Sequence, residues 1–192
     1  MHSPIIYLIE NDSDFAKSMK GQLPREDFPC EEYLFDYIDE SDGLVANTLD
    51  EKNWHRNHWN EEFIDMYEYH SYFNLKQHED KCLELEITKE NIKNWDKDLL
   101  EATTKMEEIL EEYCTENDMD PRITSEQIED IIGNSYGGER FVVYKSCGDE
   151  LDVYGVLPMK YLIDDVRLRL ENEEGSSVTY QLCHNIVGDY HY

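Results

Sequence analysis

The sequence predicts an α+β fold, in which a helical N-terminal two-thirds packs with a C-terminal antiparallel β-sheet of about four strands. Two observations carry this expectation. Ile92, Trp95, Leu99, Ala102, Met106, Ile109 and Tyr113 recur at spacings of three and four, the stripe that one face of a helix buries. After Gly137 and Gly138 the period falls to two, and residues 141–144, 151–156, 166–170 and 178–184 read as strands. The change of period divides the chain into a mainly helical region, 1–135, with a short N-terminal strand, and an antiparallel β region, 136–192. No repeat or low-complexity linker separates them, so one shared core is expected.

The elements follow in order. Ile5-Ile6-Tyr7-Leu8-Ile9 is a short β-branched run that stops at Glu10-Asn11-Asp12, a strand leading into a helix cap. Residues 13–22 then place Phe15, Ala16 and Met19 on one helical face before Pro24. A short helix over 31–39 would turn Leu34, Phe35 and Ile38 inward ahead of Gly43. Trp59, Phe63, Met66, His70 and Phe73 keep helical spacing, which makes them core and His70 a hydrogen-bonded core histidine. Leu83, Leu85 and Ile87 alternate with Glu84 and Glu86, the pattern of a brief strand.

Thr88 caps the helix that follows, with Ile87 and Ile92 as its hydrophobic staple, and residues 89–114 form the longest element. Thr124 and Gln127 make a capping box for a helix over 125–132, which Gly133 ends. Turns at 147–149 and 172–175 would make two hairpins of the four C-terminal strands.

Composition limits what such a fold can do. The chain has 192 residues, with 45 acids against 17 Lys and Arg and a net charge of -28, yet 40% of it is apolar, including 14 Tyr. Charge of that density usually accompanies disorder; with this much apolar residue it implies a folded body with a negative surface, which repels nucleic acid and anionic membranes and attracts basic partners. Five widely spaced cysteines without a CxxC pair suit reduced thiols and a cytoplasmic location. The first residues hold an apolar run of five, too short for a membrane span and without the pattern of a signal peptide.

The acids concentrate in two places. Glu107, Glu108, Glu111, Glu112, Glu116, Asp118 and Asp120 close the long helix with no basic residue among them. Carboxylates four apart repel by roughly 0.2–0.5 kcal/mol a pair, and negative charge at a helix C-terminus opposes the macrodipole by roughly 0.3–1 kcal/mol. A four-residue step rises about 6 Å, comparable with two phosphate steps of about 3.4 Å on a duplex strand. Asp36, Asp39, Glu40 and Asp42, interleaved with Tyr33, Tyr37 and Ile38, form a second group, in which Tyr can add contact area at low entropic cost.

Other chemistry is thinly represented. His55 and His58 precede Glu61 and Glu62 at helical spacings, and His78 and Cys82 are four apart, but neither pattern is a zinc signature. No P-loop, GxGxxG or GxSxG motif is present, so no catalytic residue, cofactor or metal is expected. Leu8 to Asp12 followed by a helix resembles the opening of a response-regulator receiver domain, whose acids after the first strand bind magnesium. That resemblance covers about twenty residues, without the later phosphoacceptor, Thr/Ser and Lys strand ends.

The properties as a whole are similar to those of DNA-mimic inhibitors carried by phages and mobile elements, including anti-restriction and anti-CRISPR proteins. That similarity lies in size, acidity and absence of catalytic motif. It implies a non-enzymatic inhibitor whose partner is a basic nucleic-acid-binding protein, the two acidic groups making the contact. An immunity or adaptor protein that binds a basic protein without imitating nucleic acid is the alternative.

Overall fold

A strand that is apolar at every position, as Ile5 to Ile9 is, needs cover on both faces. The computed structural model, which describes residues 2–24, 36–37, 71–79, 82–120, 122–135, 140–172, 175–186 and 188–191, places that run in the middle of a mixed sheet. The strands are β1 (His2–Glu10), β2 (Asp36–Tyr37), β3 (Asn74–Gln77), β4 (Leu83–Thr88), β5 (Arg140–Cys147), β6 (Glu150–Pro158), β7 (Ser177–Leu182) and β8 (Gly188–His191). The helices among the described residues are α1 (Asp14–Ser18), α2 (Lys89–Glu116), α3 (Ser125–Ser135) and α4 (Met159–Asn172).

Six strands run in the order β6-β5-β1-β7-β4-β3. Among the described strands, β1 and β5 are the parallel pair and the remaining pairs are antiparallel. β8 continues the line of β7 along β1 and carries β2 on its outer side. Between β7 and β8 the register slips. Cys183 still donates its amide to Tyr7 O at 2.9 Å, but the next paired residue, Gly188, faces Ile5. Residues 184–186 therefore leave the ladder, and there His184 N donates to Gly21 O at 3.0 Å while the Asn185 amide bonds both the N–H and the carbonyl of Leu23.

The alternation along β1 divides the core into two layers. Ile6 and Leu8, with Leu85, Ile87, Phe141, Val143 and Tyr180, meet Trp95 and Leu99 of α2 and Leu162, Ile163 and Val166 of α4. Ile5, Tyr7 and Ile9 turn the other way and meet Ala16 of α1, Leu23, Tyr144 and Ile186. The core thus runs from the first strand to the last part of the chain.

This overturns the expectation of a helical N-terminal two-thirds set against a four-stranded C-terminal sheet. The N-terminal strand is central, β3 and β4 belong to the same sheet, and a helix lies between β6 and β7. Residues 166–170 are helical because Met159, Leu162, Ile163, Val166 and Leu170 are all buried at helical spacing, whereas Leu168 of the alternating reading is 59% exposed.

The helix expected over 13–22 is cut to five residues. Ser13, not Asp12, is its N-cap, accepting from Ala16 N at 3.0 Å. Lys20 and Gly21 end it with positive φ of 53° and 70°. Asp36–Tyr37 is a strand rather than part of a helix over 31–39. Trp59, Phe63, Met66 and His70 lie outside the described residues, while Phe73 is buried next to β3.

Candidate partner-binding surface

The length of α2 sets this surface. Twenty-eight residues span about 42 Å at 1.5 Å per residue, more than the sheet covers. Thr88 starts the helix with a reciprocal cap: its N–H donates to Asn91 Oδ1 at 2.8 Å, and its hydroxyl accepts from Asn91 N at 3.3 Å. The Asn91 amide also reaches Ser71 O at 2.8 Å, fixing the entry of α2 against the segment before β3. Ile92, Trp95, Leu99 and Thr103 are buried. Beyond Thr103 the stripe emerges into solvent: Met106 is 43% exposed, Ile109 53% and Tyr113 56%.

The far half of α2 rests on α3 instead of the sheet. Cys114 and Ile128 are buried, and Ser125 Oγ donates to Glu107. The capping box read from the sequence forms, with Thr124 N donating to Gln127 Oε1 at 3.0 Å and Thr124 Oγ1 accepting from Gln127 N at 3.3 Å. Ile123, the residue before the cap, is 43% exposed, in contrast to buried Ile128. The chain leaves α2 through Asp118 at φ 52°, and Met119 N returns to Cys114 O at 2.8 Å, the Schellman pattern that usually employs glycine.

Of the seven acids at this end, Glu108, Glu111, Glu112, Glu116, Asp118 and Asp120 are exposed, and Glu107 is half-buried against Ser125. Among the described residues no ion pair engages any of the seven. At roughly 100° per residue, Glu108, Glu111, Glu112 and Glu116 share the face opposite Leu99 and Thr103, with Ile109 and Tyr113 on its flank. A cleft of about 500 Å³ lies at the α2–α3 turn, lined by Leu110, Tyr113, Met119 and Ile123 with Asp120 and Arg122 at its rim. The result is an unpaired anionic ridge beside apolar side chains.

The second acidic group is not assembled by what is described: Asp36 lies in β2 at the sheet margin, and Asp39, Glu40 and Asp42 lie outside the described residues. His55 and His58 also lie outside them. His78 stands 3.5 Å from Glu84 across the β3–β4 hairpin, and among the described residues no group of three His, Cys, Asp or Glu is arranged to hold a metal.

Among the described residues, Lys76, Lys93, Lys145, Lys160, Arg167 and Arg169 are engaged by acids. Glu10, at the carboxyl end of β1 and 3% exposed, receives both Arg169 guanidinium nitrogens, one at 2.8 Å, and has Lys145 Nζ at 3.5 Å. Lys145 also lies over the Tyr154 ring, 3.2 Å from its centroid, and Tyr154 donates to Asp165 at 2.6 Å. Burial works against the Arg169 charge, but the hydrogen bonds and charge of Glu10 outweigh it and push its pKa up. Arg167 bridges Asp164, at 2.6 Å, and Asp96. Sequence reasoning placed both arginines on a strand and missed this network; the helical spacing of Met159 to Leu170 was the signal that could have found it.

No protein family, curated protein or solved structure matches this chain. Among the described residues no helix is long and apolar enough to cross a membrane.

Proposed function

We propose that this chain is a non-enzymatic, cytoplasmic inhibitor that lays the far half of α2 on the basic nucleic-acid-binding surface of another protein, in the manner of DNA-mimic inhibitors of restriction and CRISPR complexes. One observation carries the reading: Glu108, Glu112 and Glu116 stand at successive four-residue steps on an exposed helix, and among the described residues no ion pair engages them, although Lys105 lies one turn before Glu108. Each step rises about 6 Å, so the ridge can meet lysines and arginines that otherwise hold phosphates. Desolvation by a partner would strengthen these pairs, and the field of a -28 chain would speed encounter. Arg167 and Arg169, held by Asp164, Asp96 and Glu10, leave little footprint for nucleic acid itself.

The test is competition. Proteins retained by the immobilised chain at low salt are challenged with excess duplex DNA or RNA, which must release a mimic's partner. A specific partner that neither releases, or sub-micromolar binding of nucleic acid by the chain itself, overturns mimicry. The first of these outcomes would favour an adaptor or immunity role, which Ile109 and Tyr113 support because a phosphate-binding groove gives exposed apolar side chains no counterpart.

A further inference from the structure

β4 and β7 run antiparallel, and their ladder ends with Glu84 opposite Gln181; continuing that register by two residues, just past the end of each strand, sets Cys82 opposite Cys183, and the two thiols are near enough to interact electrostatically. The backbone of each cysteine faces away from the other. Cys82 O accepts from His78 N at 2.9 Å on the β3 side, and Cys183 N donates to Tyr7 O at 2.9 Å on the β1 side. Since the N–H and C=O of one residue in an antiparallel strand point the same way, the two form a non-hydrogen-bonded pair. That is the closer kind, with Cα atoms about 4.5 Å apart, inside the roughly 4.4–6.8 Å that a disulfide spans.

Both side chains lie on one face of the sheet. Cys183 packs with Tyr7 and Ala16, and Cys82 has the opposite parity to Leu83 and Leu85, which enter the other layer. Gly21 closes over them: a Cβ there would be 3.4 Å from Cys82 Sγ and 3.2 Å from the ring of His184, the next residue to Cys183. Burial, and then the charge of Cys82, push the Cys183 thiol up. Both cysteines are reduced in the structure. They differ in access, because Cys183 is fully buried whereas Cys82 lines an open cavity of about 310 Å³ with Lys17, Lys20, His78 and Glu84.

We propose that Cys82 and Cys183 form a reversible disulfide site, oxidised by a small-molecule disulfide that enters this cavity and reacts first at Cys82. The Cys82 thiolate attacks one sulfur of the small disulfide, so a mixed disulfide forms, the small S–S bond breaks, and the departing thiolate takes up the proton Cys82 lost. The Cys183 thiolate then attacks Cys82 Sγ, the protein S–S bond forms, the mixed bond breaks, and the second thiolate leaves with the proton from Cys183. Two protein thiols are oxidised and one disulfide is reduced to two thiols. The bond would tie the β3–β4 hairpin to the 183–186 excursion that clamps Gly21 and Leu23.

The full chain treated with hydroxyethyl disulfide, quenched by alkylation and digested, should yield a peptide joining Cys82 to Cys183, about 2 Da lighter than the two thiol peptides together, and dithiothreitol should reverse it. Oxidised protein should melt several degrees higher, because the link restrains the unfolded chain. Cys82→Ser and Cys183→Ser should each abolish the shift, and a Cys30→Ser, Cys114→Ser, Cys147→Ser background should retain it. Cys82 trapped as an unresolved mixed disulfide, or both thiols still alkylated on denaturation after exposed Cys147 has reacted fully, would overturn the proposal.

Discussion

Glu10 keeps a carboxylate almost out of water because Arg169 meets both its oxygens and Lys145 stands nearby. Removing one partner of a buried pair costs more than the pair contributes, since the other charge stays behind. Arg169→Leu is therefore expected to lower stability by about 3 kcal/mol, the lower end of the usual range because Lys145 remains, measured by urea unfolding; an unchanged midpoint would show that Glu10 is already solvated or neutral. A second expectation concerns alkaline pH. Burial, with lesser charge effects, raises the pKa of Cys183, Tyr7 and Tyr180. Each keeps its proton in the fold where the unfolded chain has lost it, so stability is complete below about pH 9 and falls as pH rises, first through the thiol and then from about pH 10 through the phenols. The slope is at most about 1.4 kcal/mol per pH unit for each group. Melts between pH 8 and 11 check this, and a flat profile would contradict it.

At the scale of elements, α2 has two halves with different work. Leu99→Ala should cost about 2–5 kcal/mol because the side chain is buried against the sheet layer, whereas Met106→Ala, at a half-exposed site on the same stripe, should stay within roughly 0.5 kcal/mol. Changing Glu108, Glu111 and Glu112 together to Gln should leave the melting temperature equal or higher, by relieving repulsion along the helix and at its C-terminus. A marked loss would mean that those acids have structural partners. α2 itself was legible in the sequence because its stripe and its Thr88 cap are local. α4 was not. In Val166-Arg167-Leu168-Arg169-Leu170 a period of two competes with the helical period, and only cover from the sheet decides that Val166 and Leu170 go in while Leu168 stays out.

For the whole molecule, the charge of -28 sets an expectation for binding kinetics. Raising salt from 50 to 500 mM shortens the Debye length from roughly 14 Å to roughly 4 Å by the usual scaling. It should slow association with a basic partner far more than it speeds dissociation, and the triple Gln variant should reproduce part of the loss. Stopped-flow measurements decide: an association rate indifferent to both would make the charge a solubility feature and shift recognition to Ile109, Tyr113 and the cleft beside them.

By itself the sequence determined the composition of the surface, the span of α2, the caps at Thr88 and Thr124, and the alternation of β4, all of which rest on residues within a few positions of one another. The tertiary structure decided the partners. Whether Ile5 to Ile9 is an edge or the centre of a sheet depends on β5 and β7, both far along the chain. Whether Met106 is core or surface depends on what lies beneath that part of α2, and Cys82 comes near Cys183 only because the register that sets Glu84 opposite Gln181 leads the two chain segments past each other there. Local patterns specify which face of an element is apolar; strand pairing over long sequence separations specifies what covers it, and therefore which acids and thiols are left exposed and which are buried.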